Sequence, residues 1–415
     1  MELRRVVVTG LGSITPIGNT VPEYWNSLLR GVSGAGCITR FDTSKAKVKI
    51  ACEVKNFDGS KYFDRKEIRK YDLFSQYGIV SSDEAINDSG IDFATCDLDR
   101  CGVIWASGIG GIESFQNEVS DFAKGDGTLR FSPFFIVKMI ADICAGHISI
   151  RHGLRGPNLC TVSACASSSH AIGNAFDQIR LNRADVMVCG GSEASVVEAA
   201  VGGFSSMQAL STRNEDPTTA SRPFDKDRDG FVLGEGAGAL VLEELEHAKA
   251  RGAKIYAEIT GCGLTADAYH MTASHPEGVG AKMAMIHAIK ESGMALTDVE
   301  HINTHGTSTP VGDISEATAI AELFKDHASK ISVNSTKSMT GHLLGATGAI
   351  EIIATILAVQ NGIVPPTINH FTDDPELPPL DFTFMKAKER NIRFALSNTF
   401  GFGGHNISVA IKKFK

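Results

Sequence analysis

The chain has 415 residues, of which 43% are hydrophobic and 21% charged, and its formal net charge at pH 7 is −8. This composition predicts a globular protein of two or three domains, or of one large duplicated unit. The acidic total argues against non-specific nucleic-acid binding, which depends on neutralising phosphates. The nine cysteines contain no Cys-x-x-Cys pair, which indicates a reduced protein rather than a disulfide framework or a zinc site.

The amino-terminal run VVVTGLG, which begins at Val6, predicts a first strand followed by a glycine turn. Its three valines are too short a core for a signal peptide. The segment Val8–Thr15 resembles a dinucleotide fingerprint, but Thr15 stands where the third glycine is needed. The longest apolar stretch, Ile350–Val359, falls far short of the roughly 20 residues of a membrane helix. We therefore expect a cytoplasmic protein without a membrane span or a nucleotide site.

A basic run follows in DRKEIRKYD, residues 64–72. At helical spacing, Lys66, Arg69 and Lys70 fall on one face. Such a run is commonly a solvated helix face, but a local basic patch can also dock an acidic protein. The residues alone leave both readings open.

Short β-rich runs then alternate with helical patterns, as at Val103–Trp105, Val186–Cys189 and Ile331–Val333. Segment Ala166–Leu181 carries apolar residues at spacings of three and four, which predicts an amphipathic helix. This alternation favours an α/β architecture with largely parallel sheets. A charged helix that stops at Arg251-Gly252 predicts a junction between residues 1–255 and residues 256–415, with no flexible linker. No internal repeat is visible in the sequence.

The segment VSACASSSH, residues 162–170, places Cys165 between a predicted strand and the predicted helix. Small alanine and serine residues around it permit a sharp turn. The free N–H groups and positive end of a helix lower the pKa of a thiol placed there. A cysteine is more often a small core residue, but strand–turn–helix elbows recur as nucleophile sites. Cys165 is therefore a candidate nucleophile with a lowered pKa.

The run Asp225–Gly236 resembles a calcium-binding loop. Its twelfth position, which should be a bidentate glutamate, is Gly236, and Glu235 comes one place early. We expect a structural loop instead.

Two later segments each hold an imidazole. In HINTHGTSTPVGD, residues 301–313, His305 precedes a Gly/Thr/Pro loop, and in NSTKSMTGHLLGATG, residues 334–348, Lys337 precedes His342 by five positions. Taken alone, His305 is typical of a surface loop, and His342 is typical of the start of a helix. Together with Cys165 they supply a thiol, two imidazoles and an ammonium, the groups that thioester chemistry requires.

The three segments together resemble the Cys-His-His signature of the β-ketoacyl synthases. The similarity runs from VVVTGLGSITPIG to SNTFGFGGHN, includes the calcium-like run, and extends to ADAYHMTASHPEG, residues 266–278, which is similar to the elongating type II branch. The resemblance implies a thiolase-like duplicated fold in which two α/β halves pack as five α-β-α-β-α layers. It also implies a cytoplasmic acyltransferase of fatty acid elongation that acts as a homodimer.

Carried over by motif, the resemblance implies that Cys165 takes an acyl chain from acyl carrier protein (ACP) as a thioester. His305 and His342 would then favour decarboxylation of malonyl-ACP, and Lys337 would support His342. The main-chain N–H groups of Cys165 and Phe402 would form the oxyanion hole of the Claisen condensation, which yields 3-oxoacyl-ACP and CO₂.

Further positions match by motif. Asp313 and Glu316 match acidic positions of the second segment. The implied substrate-binding residues contact the pantetheine arm or the acyl chain: Thr307, Thr309, Phe204, Ile109, Phe400 and Phe402. A structural Na⁺ or K⁺ is implied at four positions, and no other cofactor is required: Asn303, Glu351, Ser397 and Asn398. Because ACP is acidic, the resemblance favours the docking interpretation of Lys66, Arg69 and Lys70.

The main alternative is a polyketide-type ketosynthase, which shares the Cys-His-His set. A degradative thiolase should carry a second cysteine near the carboxyl end, but the last cysteine is Cys262. A starter synthase should have asparagine at His342, and a non-catalytic chain-length subunit should lack Cys165. A cysteine hydrolase would need one histidine with an orienting asparagine or aspartate. Products formed from simple saturated acyl chains separate the two leading interpretations.

Overall fold

An eleven-stranded sheet runs through the protein in the computed structural model, which describes residues 3–415. The strands are β1 (Val6–Ile14), β2 (Gly36–Cys37), β3 (Ile50–Ala51), β4 (Cys101–Ala106), β5 (Asn158–Thr161), β6 (Val186–Glu193), β7 (Gly236–Glu244), β8 (Ala257–Ala266), β9 (His301–Asn303), β10 (Ser332–Asn334), β11 (Ile363–Val364), β12 (Asp381–Phe382), β13 (Lys388–Glu389), β14 (Phe394–Gly401) and β15 (His405–Lys412). The helices are α1 (Val21–Leu29), α2 (Arg65–Ile68), α3 (Leu73–Ser89), α4 (Ile112–Lys124), α5 (Phe135–Met139), α6 (Ile143–His152), α7 (Ser167–Arg180), α8 (Glu198–Ser206), α9 (Leu245–Ala250), α10 (Val279–Ser292), α11 (Pro310–Phe324), α12 (Lys337–Thr340) and α13 (Thr347–Asn361).

The same five-strand arrangement occurs twice. The first half has the order β1-β7-β6-β4-β5, and the second half has the order β8-β15-β14-β9-β10. Pair by pair, the two halves share the same parallel and antiparallel directions. The two units meet where β1 pairs with β8, antiparallel. The duplication therefore lies in strand order, and the predicted junction after residue 255 falls just before β8.

The expectation of largely parallel sheets is wrong, because each half mixes both directions. Strands β4, β5 and β6 are mutually parallel neighbours, whereas β7 runs antiparallel to both β6 and β1.

Five layers result from helices on both faces of each half. Helices α3 and α6 cover the outer face of the first half, and α10 with α11 covers the outer face of the second. Helices α7 and α13 pack together between the halves. The side chains of β4 alternate between the two faces of the sheet in agreement with this arrangement. Ile104 faces the central helices, and Val103 and Trp105 face the outer ones.

One helical stretch among residues 3–415, Leu344–Asn361, is long and apolar enough to cross a membrane. Within it, 89% of the residues are buried inside the protein. The stretch contains α13, the core helix between the two halves, so its apolar character is explained by packing.

Candidate active site

A strained turn holds Cys165 at the start of α7. Ala164, the residue before it, has φ +51°, a left-handed conformation that residues other than glycine seldom adopt. The Ser167 hydroxyl fixes the turn, since it accepts from the Ser163 N–H at 2.9 Å and donates to the Ala164 carbonyl at 2.6 Å. Gly401 of β14 passes against the turn, where an added Cβ would lie 2.8 Å from the Ser163 carbonyl oxygen. The predicted sharp turn is thus present and tightly held.

His342 lies against the thiol. Its Nε2 is 3.0 Å from Cys165 Sγ, and its Nδ1 is 2.9 Å from Thr347 Oγ1. The edge of the Phe231 ring packs on the imidazole at a centroid distance of 5.2 Å. Both ring nitrogens are therefore engaged, and the ring orientation is fixed by contacts on three sides.

His305 completes the group from the second half of the fold. Its ring centroid is 5.3 Å from that of His342, at an interplanar angle of 84°. The Glu316 carboxylate accepts the N–H groups of His305 at 3.0 Å and of Gly306 at 2.9 Å. The Cys165 sulfur and one nitrogen from each imidazole lie within 4.8 Å of one another. Residues 140 and 177 positions apart from Cys165 thus converge on one thiol.

The expected lowering of the pKa of Cys165 is wrong. Burial raises the pKa of this thiol to about 12, although Lys337 and the main-chain N–H groups of Phe402 and Cys165 act in the opposite direction. The loss of hydration destabilises the thiolate more than the Lys337 charge and the two N–H groups stabilise it. Cys165 in the free protein is therefore a neutral thiol that needs a base.

The two imidazoles are neutral. Burial and then the Lys337 charge hold the pKa of His342 well below its ordinary value, and the same causes together with His342 lower that of His305. A neutral imidazole can accept a proton on one nitrogen and donate from the other. The pair therefore suits proton acceptance from the thiol and hydrogen-bond donation to an anionic oxygen.

Lys337 is fully buried near the two imidazoles. Its Nζ donates to Glu351 Oε1 at 2.5 Å, and its charge acts on Cys165, His305 and His342. Desolvation raises the pKa of the Glu351 carboxyl to about 7, and Lys337 opposes that rise. The structure thus brings Lys337 near the thiol and both imidazoles, on which it acts through charge.

The predicted oxyanion-hole donors face the sulfur. The main-chain N–H groups of Phe402 and Cys165 both act to lower the pKa of the thiol, which places them beside the sulfur. These donors come from the turn after β14 and from the turn that leads into α7, so one comes from each half of the fold. Two main-chain donors at one point are the arrangement that stabilises a tetrahedral oxyanion.

A cavity of about 380 Å³ opens above the thiol. It is lined by Cys165, both imidazoles and five of the predicted substrate-binding residues: Thr307, Thr309, Phe204, Phe400 and Phe402. The hydroxyls of Thr307 and Thr309 are 3.0 Å apart on one wall. Ile109 lies outside this cavity, 39% exposed, on the loop after β4.

Sequence reasoning missed Glu193, a fully buried carboxylate at the end of β6. It accepts main-chain N–H groups from Gly108 at 2.8 Å, Ile109 at 3.2 Å and Gly345 at 2.9 Å. It thereby ties the loop after β4 to the turn that follows His342. Phe231 and Thr347 were missed as well, since none of these residues has a local sequence signal that relates it to Cys165.

Three of the four predicted cation ligands face a common space. Asn303 pairs in register with Ser397, and their neighbours Ile302 and Leu396 belong to the outer core, so both point inward toward α13. Asn303 Oδ1, Ser397 Oγ and Glu351 Oε2 are all buried and lack a hydrogen-bond partner. Asn398 faces the other side of β14. Its side chain bonds to Glu316 and Ser408, so it does not join the other three ligands.

The basic run lies on the surface around α2. Lys66, Arg69 and Lys70 are exposed, and within residues 3–415 none of them forms an ion pair. Asp64 caps the helix by accepting the N–H groups of Lys66 and Glu67. The three cations are therefore available to a partner.

The calcium-like run is a structural loop, as expected. Asp225 Oδ2 accepts the N–H groups of Phe371 and Thr372, and Asp225 Oδ1 accepts that of Asp227. Asp313 likewise accepts from Phe224 N–H and lies 3.5 Å from Arg228. The carboxylates of Asp225 and Asp313 therefore stabilise loops beside the cavity.

Sequence comparisons match both halves. A sequence model of the β-ketoacyl synthase N-terminal domain matches residues 3–248, and one of the C-terminal domain matches residues 256–371. The 3-oxoacyl-[acyl-carrier-protein] synthase 2 of Synechocystis sp. is 49% identical over 415 residues, covering 100% of this chain and 99% of that protein. The 3-oxoacyl-[acyl-carrier-protein] synthase 2 of Staphylococcus aureus is 49% identical over 412 residues, covering 99% of each.

Solved structures show the same architecture. A β-ketoacyl synthase from Burkholderia phymatum superposes with a TM-score of 0.93 at 34% identity, covering 99% of this chain and 100% of that one. The ishigamide ketosynthase/chain length factor gives a TM-score of 0.93 at 33% identity and 100% coverage of both chains. A type II polyketide ketosynthase in complex with its acyl-carrier protein gives 0.91 at 32% identity, again with 100% coverage of both.

Proposed function

The chain belongs to the β-ketoacyl synthase family, and from this premise we propose that it condenses malonyl-ACP with an acyl chain carried on Cys165. The products are 3-oxoacyl-ACP and CO₂, as in fatty acid elongation. The observation that carries the proposal is the 3.0 Å contact between Cys165 Sγ and His342 Nε2, with His305 beside them under a 380 Å³ cavity.

The first step is acyl transfer. The Cys165 thiol passes its proton to His342 Nε2, and the thiolate attacks the acyl thioester of ACP. The ACP thiol leaves with the proton, so one thioester replaces another at little cost in free energy. Because burial raises the pKa of the thiol to about 12, proton transfer to His342 coincides with attack rather than preceding it.

The second step is loss of CO₂ from malonyl-ACP. His305 and His342 donate N–H bonds to the malonyl thioester oxygen, and the electron pair of the broken C–C bond becomes an enolate at that oxygen. Thr347 Oγ1 can donate to or accept from His342 Nδ1, so the imidazole can change tautomer between the two steps. Lys337 adds a positive charge below the developing anion without touching it.

The third step forms the new carbon–carbon bond. The enolate carbon attacks the acyl carbonyl on Cys165, and the resulting oxyanion accepts from the N–H groups of Cys165 and Phe402. One such donor is typically worth about 3 kcal/mol to the transition state. Collapse of the tetrahedral intermediate releases the Cys165 thiolate, which takes a proton from solvent, and the extended chain leaves on ACP.

ACP is the proposed partner, and Lys66, Arg69 and Lys70 are its proposed docking face. Support comes from their exposure and lack of ion pairs, and from a structural relative that is described in complex with its own acyl-carrier protein. An acidic partner gains association rate from such a patch even on a chain of net charge −8. We place the reaction in the cytoplasm.

We also propose a homodimer formed through the sheet edge. Strand β5 ends the sheet, so one of its edges has no partner among residues 3–415. Leu159 and Val162 are 39% and 60% exposed there, and Phe115 and Ile136 of the neighbouring helices are also exposed. Pairing of two β5 strands about a twofold axis would satisfy this edge and cover the apolar side chains.

A monovalent cation, Na⁺ or K⁺, is proposed beside Glu351. The buried oxygens Asn303 Oδ1, Ser397 Oγ and Glu351 Oε2 lack partners, and hard oxygen donors of this kind fit such an ion. An ion there would satisfy these atoms and fix Glu351, which in turn holds Lys337.

Intact-mass analysis of ACP after incubation with the protein, malonyl-ACP and saturated acyl-ACP tests the function. A 3-oxoacyl product two carbons longer than the substrate is expected, and Cys165→Ala should abolish it. Acyl transfer to Cys165 without extension would contradict the decarboxylation step, and retained condensation by Cys165→Ala would overturn the nucleophile. Extension confined to chains that retain keto groups would instead indicate a polyketide role, which the 49% identity to two 3-oxoacyl-[acyl-carrier-protein] synthases disfavours.

A further inference from the structure

We propose that Cys165, His305 and His342 form a reversible site for a zinc ion, so that free Zn²⁺ inhibits the unacylated enzyme. The metal site follows from the geometry of these three side chains. Only the inhibitory consequence rests on the proposed condensing function.

The spacing of the three donor atoms suits a small tetrahedral ion. Sγ of Cys165 and a nitrogen of each imidazole lie within 4.8 Å of one another, and the Sγ to His342 Nε2 distance is 3.0 Å. Zinc–sulfur and zinc–nitrogen bonds place such ligand atoms about 3.4 to 3.6 Å apart. Side-chain shifts within about 1 Å therefore convert the hydrogen-bonded group into a coordination sphere.

Zinc binding makes different demands on the two imidazoles and on the thiol. An imidazole ligates zinc through a ring nitrogen that carries no proton, and His305 and His342 each bring one ring nitrogen close to the Cys165 sulfur. The thiol must ionise: Cys–SH plus Zn²⁺ gives Cys–S–Zn⁺ plus one proton released to solvent. The Lys337 ammonium opposes the incoming charge, but Glu351 offsets it at 2.5 Å.

The supporting contacts are those of a zinc site with one open position. Thr347 Oγ1 engages His342 Nδ1 at 2.9 Å, and such a partner on the second nitrogen orients a metal-ligating histidine. Glu316 accepts the main-chain N–H of His305 and so holds its backbone, while the buried ring Nδ1 of His305 has no hydrogen-bond partner. The cavity above Cys165 leaves room for water as the fourth ligand, as in zinc centres with three protein ligands.

The catalytic cycle determines when this site exists. Once Cys165 carries an acyl chain, its sulfur belongs to a thioester and cannot supply a thiolate ligand. Zinc would therefore compete with acyl transfer and spare the acylated form. Inhibition of a single turnover should disappear when the enzyme is loaded from acyl-ACP before zinc is added.

Titration of the full-length protein with Co²⁺ tests the site without any condensation assay. Co²⁺ in the place of Zn²⁺ should give a sulfur-to-cobalt charge-transfer band and intense tetrahedral visible bands, both reversed by Zn²⁺. Cys165→Ala should lose the charge-transfer band, and Thr347→Val should weaken Co²⁺ binding by about 10- to 100-fold. Cys37→Ala is the matched control, because Cys37 is the exposed cysteine among residues 3–415 and should not contribute.

Alkylation of Cys165 provides a second test that uses the wild-type chain and so does not depend on the folding of a variant. Zn²⁺ should slow the alkylation of Cys165 by iodoacetamide in the wild-type chain, as measured by peptide mass. A charge-transfer band that survives in Cys165→Ala, or alkylation that Zn²⁺ does not slow, would overturn the site. Metal binding without any condensing activity would contradict the proposed function and leave the metal site standing.

Discussion

The reactivity of Cys165 is decided by competition between burial and nearby donors. Burial raises the pKa of the thiol to about 12, and the Lys337 charge and two main-chain N–H groups only partly oppose this rise. The contact with His342 at 3.0 Å is therefore the means by which the proton is removed. A buried neutral thiol also avoids oxidation between turnovers, since the thiolate is the reactive form.

This competition predicts the pH dependence of Cys165 alkylation. Because the pKa is raised, the thiolate fraction is small at neutral pH and grows with each unit of pH. The rate of iodoacetamide labelling at Cys165, followed by peptide mass, should keep rising through the range where a free thiol of pKa about 8.5 levels off. N-acetylcysteine under the same conditions is the reference. A plateau near neutral pH would show instead that a thiolate–imidazolium pair already exists.

For individual residues, sequence motifs identified the groups that react, whereas the residues that support them were found only in the structure. Cys165, His305, His342 and Lys337 were each marked by a local pattern, and the structure brings all four together. The role of Glu193 was not identifiable from the sequence. Its hydrogen-bond donors Gly108 and Gly345 are 237 residues apart and contribute only main-chain N–H groups. The lowered thiol pKa was wrong because the local sequence shows the helix start but does not show how completely later segments exclude water.

Among the elements, the turn between β5 and α7 does the most to position the site. The predicted helix Ala166–Leu181 is confirmed with one residue less at each end, as α7. Ala164 holds a left-handed conformation that its side chain disfavours, and Ser167 bonds to both sides of it. The cost of order 1–3 kcal/mol for such a residue is met by these bonds and by packing.

Substitution at Ala164 tests whether this backbone conformation positions the nucleophile. Ala164→Gly should keep acylation of Cys165 and change stability by no more than about 1 kcal/mol, because glycine adopts φ above zero freely. Ala164→Val should cut acylation steeply, since a β-branched residue resists this conformation. Single-turnover acylation, read by intact mass, measures the first effect and urea denaturation the second. Equal acylation by both variants would mean that the turn is not held by its backbone conformation.

At the scale of the whole molecule, the active site is built at the boundary between two copies of one fold. The first half supplies Cys165, and the second half supplies His305, His342, Lys337 and Phe402. The five-layer thiolase-like architecture that the resemblance implied is confirmed by structures superposing at TM-scores of 0.93. The duplication was invisible to sequence comparison because strand order and direction, rather than side chains, are what the halves share.

The proposed dimer makes a prediction about the β5 edge. Leu159→Arg places a charge on the edge strand and should give a monomer, since burying an unpaired guanidinium is strongly unfavourable. Light scattering should then report a mass near 44.2 kDa, against about twice that for the wild type. Leu296→Arg is the matched control, because Leu296 is 38% exposed, against 39% for Leu159, and lies outside this edge. A dimeric Leu159→Arg variant would contradict pairing through β5.

The position of β1 in the sheet has a consequence for folding during synthesis on the ribosome. β1 (Val6–Ile14) is translated first, yet both of its neighbours, β7 and β8, begin only at residues 236 and 257. At about 5–20 residues per second, its apolar run waits roughly 10–50 seconds for a partner. A nascent chain of this design depends on shielding of that segment, and slower translation before residue 236 would favour aggregation over folding.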